Sequence, residues 1–252
     1  MSELATQILL FVVSVIANFF SAMAGGGAGL LQLPAIIFFG LSFSTALATH
    51  KVASVALGVG ATIRHLSENS LERRFALFIL ISGLPGVVVG AFLIIDVPDR
   101  AAELALGMLT ISLAVYSFLQ KKLGQSYCSI HRDTRGYLTG ALVLFLIGVL
   151  NGSLTSGTGL FVTIWLVKWF GLDYKRAVAY TLILVGLFWN GTGAITLGVL
   201  SSIQWHWLPA LLLGSLIGGF LGAHISLKKS NRLIKRVFEI MTLLAGLKLI
   251  IG

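Results

Sequence analysis

Long apolar stretches dominate the chain, and its polar residues gather in short intervals between them. A helix needs about 20 apolar residues to span a ~30 Å hydrocarbon core, and stretches of that length recur throughout. Two of them are broken internally by glycine. The first break is Gly25-Gly26-Gly27-Ala28-Gly29, after Ala24; the second is Ser156-Gly157-Thr158-Gly159, preceded by Asn151-Gly152-Ser153. Sliding the chain on itself by about 131 residues superposes the two breaks. Phe39-Gly40-Leu41 then falls on Phe170-Gly171-Leu172, and Ala46 and Ala48 fall on Ala177 and Ala179. One residue later in register, Gly86-x-x-x-Gly90-Ala91 falls on Gly218-x-x-x-Gly222-Ala223. A duplicated membrane unit, broken at the same place in each copy, predicts a transporter with its binding site between repeats.

Charge sets the threading. Every lysine and arginine except Lys51, Arg100 and Lys248 falls in one of four clusters, at 64–74, 121–135, 168–176 and 228–236. Placing all four in the cytoplasm satisfies the positive-inside rule, and the spans then alternate without conflict. Residues 41–64 run inward, 74–95 outward and 101–120 inward. Residues 137–168 form a hairpin that starts and ends inside; 177–198 then run outward, 207–227 inward and 237–251 outward. In the first half, 4–24 and 28–40 make the matching hairpin, starting and ending outside. Each half is thus a hairpin plus three single spans. That number of segments is odd, so the second copy is inverted.

The expected fold is therefore an all-α polytopic membrane protein of two inverted-topology repeats, each a glycine-tipped helical hairpin plus three transmembrane helices. It comprises about ten helical segments, with the first repeat at 1–120, a cytoplasmic connection at 121–136 and the second repeat at 137–252. Both termini are expected outside the cytoplasm, in an inner or plasma membrane. The arms at 28–40 and 158–168 are only ~12 residues, or ~18 Å, too short to cross alone. Whether the hairpins are re-entrant or fully spanning stays open.

Composition agrees: 57% of residues are hydrophobic and 11% charged, and the mean hydropathy is +0.96. A soluble domain does not carry a surface so poor in charge. The net charge of +9 belongs to the cytoplasmic loops rather than to a nucleic-acid face, because little polar face exists to display it. Cys128 is the sole cysteine, so no intrachain disulfide is expected. The N-terminal apolar segment ends in Ala22-Met23-Ala24 but has Glu3 and no basic residue before it. It is read as a retained span, not a cleaved signal.

A helix that begins inside the membrane directs unpaired N–H groups and partial positive charge at whatever lies ahead. Both short arms are expected to begin directly after their glycines, which implies a small anion cradled between two helix N-termini. The candidate substrate-binding set is Gly25, Gly26, Gly27, Gly29, Gln32, His50, Lys51, Asn151, Ser153, Ser156, Gly157, Thr158, Gly159 and Asn190. Lys51 is the sharpest of these, a charge about 13 Å into the 42–64 span, where burial is costly and usually functional. His50 points about 100° away from it and is a candidate for proton coupling or a packed core residue. The amides and hydroxyls, with Asn18, Ser21 and Thr155 nearby, either bind an oxyanion or satisfy the broken helices' own backbone. Gly86/Gly90 and Gly218/Gly222 are read as helix-packing sites. Glu239 is expected to pair with the basic residues around it.

The Gly-Gly-Gly-x-Gly-Leu turn followed by Leu33-Pro34, the stretch Ala46-Leu47-Ala48-Thr49-His50-Lys51, and the Gly-x-x-x-Gly-Ala helices resemble the sulfite exporter TauE/SafE family. Ala177-Val178-Ala179-Tyr180-Thr181 and then Asn190 are similar to that family's second repeat. The resemblance covers essentially the whole chain and implies a membrane permease for sulfur oxyanions or organosulfonates.

Enzyme motifs are missing: there is no Gly-x-Ser-x-Gly, no His-Glu-x-x-His, and no acidic partner that would make the glycine run a dinucleotide fingerprint. With one cysteine and no close His/Glu pairs, no metal site or cofactor is expected. The leading expectation is a carrier for a small anionic substrate, working by alternating access between the two tips. A passive anion channel and a non-transporting membrane subunit are the alternatives. A coupling proton or sodium ion, the direction of transport and a homodimer are left open by the residues.

Overall fold

In the computed structural model the described residues are 2–65, 71–93, 99–154 and 157–251. They fold into helices α1 (Glu3–Ala24), α2 (Gln32–Phe38), α3 (Phe43–His65), α4 (Arg73–Leu93), α5 (Asp99–Leu119), α6 (Thr134–Ser153) and α7 (Thr158–Phe170). A long α8 (Tyr174–Leu200) follows, then α9 (Leu208–Lys228) and α10 (Asn231–Ile251). Among the described residues, six helices are long and apolar enough to cross a membrane: α1, α3, α4, α6, α8, and α9 with the turn before it.

Which side is apolar identifies the solvent. On α1, Leu4, Ile8, Val12, Ile16 and Phe20 recur every four residues and are exposed. Ser14, Asn18 and Ser21 are buried on the opposite face. A soluble helix would show the reverse. Leu138, Leu142 and Leu146 repeat the outward apolar stripe on α6. α7 is buried almost all round, from Thr158 to Phe170, which makes it the centre of the larger core cluster with Phe75, Tyr180 and Trp189.

The glycine stripes decide which helices meet. A Cβ on Gly218 or Gly222 of α9 would lie 2.4 Å from the Val15 carbonyl oxygen or 2.2 Å from that of Phe19, both on α1. On Gly86 or Gly90 of α4 it would lie 2.2 Å from the Phe145 oxygen or 2.0 Å from that of Val149, both on α6. Backbones approach this closely where one helix presents a residue without a side chain. The first helix of each hairpin therefore packs against a helix from the other half of the chain.

Two local features differ from the sequence expectation. The first short arm is not a 12-residue helix starting at the glycines. A single 3₁₀ turn, Ala28–Leu30, comes first, and the α-helix covers only Gln32–Phe38. Pro34 in its first turn fits because no N–H is needed there, and Gly40 at φ +98° turns the chain out after it. The second arm does start at its glycine, with Gly157 at φ +77° as its N-cap. The other difference lies in α8, which widens into a π-helix over Thr181–Trp189. There it crosses α3 so tightly that a Cβ on Gly58 would lie 2.5 Å from the Gly186 carbonyl carbon.

Candidate functional site

α1 stops at Gly25 (φ +83°), whose N–H donates to the Ser21 carbonyl. Gly26 and Gly27 follow at φ +145° and +99°, conformations that a side chain would strain. This tip meets the second one face to face: a Cβ on Gly26 would be 2.7 Å from the Gly159 Cα. The Thr163 hydroxyl lies 3.0 Å from both the Gly25 carbonyl oxygen and the Thr181 hydroxyl. Between the tips is a cavity of about 40 Å³.

Gly25, Gly26, Gly27, Gly29, His50, Asn151, Thr158, Gly159 and Asn190 all border this cavity. So do Ser21 and Ser54. The Ser21 hydroxyl is fully buried and has no hydrogen-bond partner among the described residues, an uncommon state for a buried polar group.

Lys51 sits one layer back. Its fully buried ammonium donates to the Asn151 carbonyl oxygen (2.7 Å), to Asn151 Oδ1 (2.8 Å) and to Asn190 Oδ1 (3.1 Å). Three acceptors match the three N–H bonds of the charged form, whereas a neutral amine has only two. None of the acceptors carries charge, and no carboxylate pairs with Lys51 among the described residues. Gly193 makes room for the stem: a Cβ there would be 3.2 Å from Lys51 Cε. Because the lysine can only donate, it fixes both amides. Asn151 Nδ2 donates to Thr158 Oγ1 (2.8 Å), and the Asn190 amide turns its NH₂ away from the ammonium.

A second layer lies behind the first tip. Gln32 Nε2 donates to the Ser14 hydroxyl (2.8 Å) and lies 3.3 Å from that of Ser215. Its Oε1 therefore accepts from His50 Nδ1 (2.8 Å), which leaves His50 Nε2 to accept from Ser54 (3.2 Å). Asn18 belongs to this layer, donating to the Ser14 carbonyl at 2.7 Å and to Ser215 at 3.0 Å.

Of the remaining expected residues, Gly157 caps α7. Ser153 turns its hydroxyl back to the Val149 carbonyl at 2.9 Å, so it serves its own helix. Thr155 and Ser156 lie outside the described residues. Ser14, Ser54, Ser215 and Thr163 were not singled out from sequence. A signal for one of them existed: the 131-residue slide that aligns the tips carries Gln32 onto Thr163 and His50 onto Thr181, and both pairs are hydrogen-bonded.

Away from the tips, Glu239 pairs with Lys235 and accepts from Ser117 (3.0 Å), in line with the expected ion pair.

The family described as "Sulfite exporter TauE/SafE" matches residues 10–249. A probable membrane transporter protein of Haemophilus influenzae is 28% identical over 96% of this chain and 93% of its own length. The probable membrane transporter protein YfcA of Escherichia coli K12 is 27% identical, over 96% of this chain and 88% of its own. The Bacillus subtilis probable membrane transporter protein YunE is 22% identical over 96% and 97%. No solved structure matches significantly. With helices that can cross a membrane and a family match spanning nearly all of its length, the chain belongs to the sulfite exporter TauE/SafE family of membrane transporters.

Proposed function

We propose that this transporter carries a small anion, a sulfur oxyanion or organosulfonate, through a site between the two glycine tips. The observation that carries the reading is Lys51: a buried ammonium held by three neutral oxygens, with no carboxylate paired to it among the described residues. A charge at that depth is costly without a counter-ion, and an anion in the adjoining cavity supplies one. Donors facing that anion are the Ser21 hydroxyl, the Asn190 amide and the backbone N–H groups at the start of α7. These neutral donors hold an oxyanion without trapping it. The α7 N-terminus adds the partial positive charge of a 13-residue helix; the 3₁₀ turn at the first tip adds less.

A cavity of about 40 Å³ has room for roughly three water-sized groups. In this conformation it suits an anion the size of sulfite rather than an aromatic sulfonate. Opening to either side then requires the tips to separate, because they are in contact. Alternating access follows if the two hairpins belong to inverted repeats and rock in turn. Their glycine-striped contacts with the opposite half are the surfaces on which such rocking would occur.

The test is exchange in proteoliposomes loaded with sulfite, sulfate, thiosulfate, sulfoacetate, phosphate or acetate. A carrier gives saturable counterflow of a sulfur anion and no conductance. Conductance with a linear concentration dependence would make the protein a channel. Absence of both flux and ligand-induced thermal stabilisation would leave a partner-subunit role.

A further inference from the structure

α5 and α10 pack side by side and leave a groove between them on the outside of the bundle. Its inner part, of about 480 Å³, is lined by Ala114, Val115 and Phe118 of α5 and by Ile240 and Leu243 of α10. A second hollow of about 390 Å³ shares Phe118, Arg236 and Glu239 with the first. Its remaining lining is polar: Lys121, Gln125, Arg232 and Lys235. The groove is thus apolar along one stretch and cationic at one end. From Arg236 to Leu243 is two turns of helix, or about 10 Å.

One of the four cations at that end is neutralised within the protein. Lys235 is committed to Glu239 and to the Ser117 carbonyl. Lys121, Arg232 and Arg236 have no acidic partner among the described residues, and both arginines project from the exposed side of α10. Val115, Phe118, Ile240 and Leu243 are also exposed.

From this juxtaposition we propose that the α5–α10 groove is a binding site for one anionic phospholipid, its phosphate on Lys121, Arg232 and Arg236 and an acyl chain along Val115, Phe118, Ile240 and Leu243. Charge complementarity selects this occupant. A second copy of the chain docking two-fold on the same face would bring two cationic ends together, which like-charge repulsion opposes. A free anion would leave the apolar stretch uncovered. A basic hollow continuous with an exposed apolar one fits both ends of a phospholipid.

The experiment is native mass spectrometry of the detergent-purified full chain, titrated with phosphatidylglycerol or phosphatidylcholine. Wild type should retain phosphatidylglycerol preferentially. Arg232→Gln with Arg236→Gln should weaken that lipid about 30-fold, the effect of removing two cation contacts near a lipid surface, and leave phosphatidylcholine unchanged. Ile240→Trp, which fills the groove at an exposed position, should weaken both lipids. Equal retention of the two lipids by wild type would overturn the proposal, as would unchanged phosphatidylglycerol binding in the arginine double variant. Displacement of the lipid by millimolar glycerol phosphate would reduce the site to a headgroup-sized anion site. A dimer that dissociates in the double variant would make the groove a protein interface instead.

Discussion

Lys51→Met separates the two things that the lysine does. Methionine approximates the stem that packs on Gly193 but donates nothing, so the Asn151 carbonyl, Asn151 Oδ1 and Asn190 Oδ1 lose their shared donor. A buried acceptor left unmade costs about 1–3 kcal/mol, which for three gives roughly 3–9 kcal/mol. Asn151 and Asn190 both border the cavity, where water can reach them, so the low end, about 3 kcal/mol, is the expected loss. At about 2–4 °C per kcal/mol for a chain of this size, the melting point should fall by roughly 6–12 °C. Wild type at 100 times the dissociation constant of its anion gains about 2.7 kcal/mol; the variant should gain almost none. Lys51→Arg should not restore binding, because the planar guanidinium cannot aim three donors at converging oxygens and its wider head crowds Gly193. The assay is thermal unfolding in detergent with and without sulfite. A Lys51→Met protein that melts like wild type and is stabilised equally by sulfite would refute both the structural and the electrostatic reasoning.

Other predictions concern the backbone and the topology. Gly26→Ala places a Cβ 2.7 Å from Gly159 Cα at φ +145°; backbone strain of about 1–3 kcal/mol and a jammed tip should abolish anion exchange in proteoliposomes. Gly90→Val and Gly222→Val each force a side chain into a facing helix backbone and should cost at least about 1–3 kcal/mol in thermal unfolding. Gly191→Ala, whose Cβ would find its nearest neighbour 3.9 Å away, should be neutral or stabilising by about 0.4–1 kcal/mol. With Cys128→Ser as background, a cysteine at Ser2 should react with an impermeant maleimide on intact cells, and one at Ser230 only after permeabilisation; the reverse result would invert the charge-derived orientation.

The helices and the glycine tips were legible because their causes are local. Glycine run, apolar stretch and proline each act within a few residues, and the stripes at Gly86/Gly90 and Gly218/Gly222 announce close helix contacts. Which helices make those contacts was not legible, since a glycine ridge states only that its partner comes near. That Lys51 is buried follows from its place in a long apolar run, but not the oxygens that hold it, which lie 100 and 139 positions away. The shortness of α2 was missed because an apolar run carries no mark of where a 3₁₀ turn replaces an α-turn. Ser14 and Ser215 were missed for a related reason: a serine inside an apolar helix becomes informative only once its neighbour from another helix is known.

The pairing of α1 with α9 has a consequence for how the protein is made. The Ser14 hydroxyl bonds the Leu211 carbonyl and meets the hydroxyl of Ser215, 201 positions later. At about 5–20 residues per second, α1 waits roughly 10–40 s after its own synthesis before that partner exists. During this interval Ser14, Asn18 and Ser21 form a polar stripe with no α9 to cover it. Exposed to lipid, such a stripe is costly. The nascent first half is therefore expected to stay beside the insertion machinery, or to borrow a temporary neighbour, until the second half arrives. Truncation after residue 120 should accordingly yield a fragment that is degraded rather than a stable half-transporter.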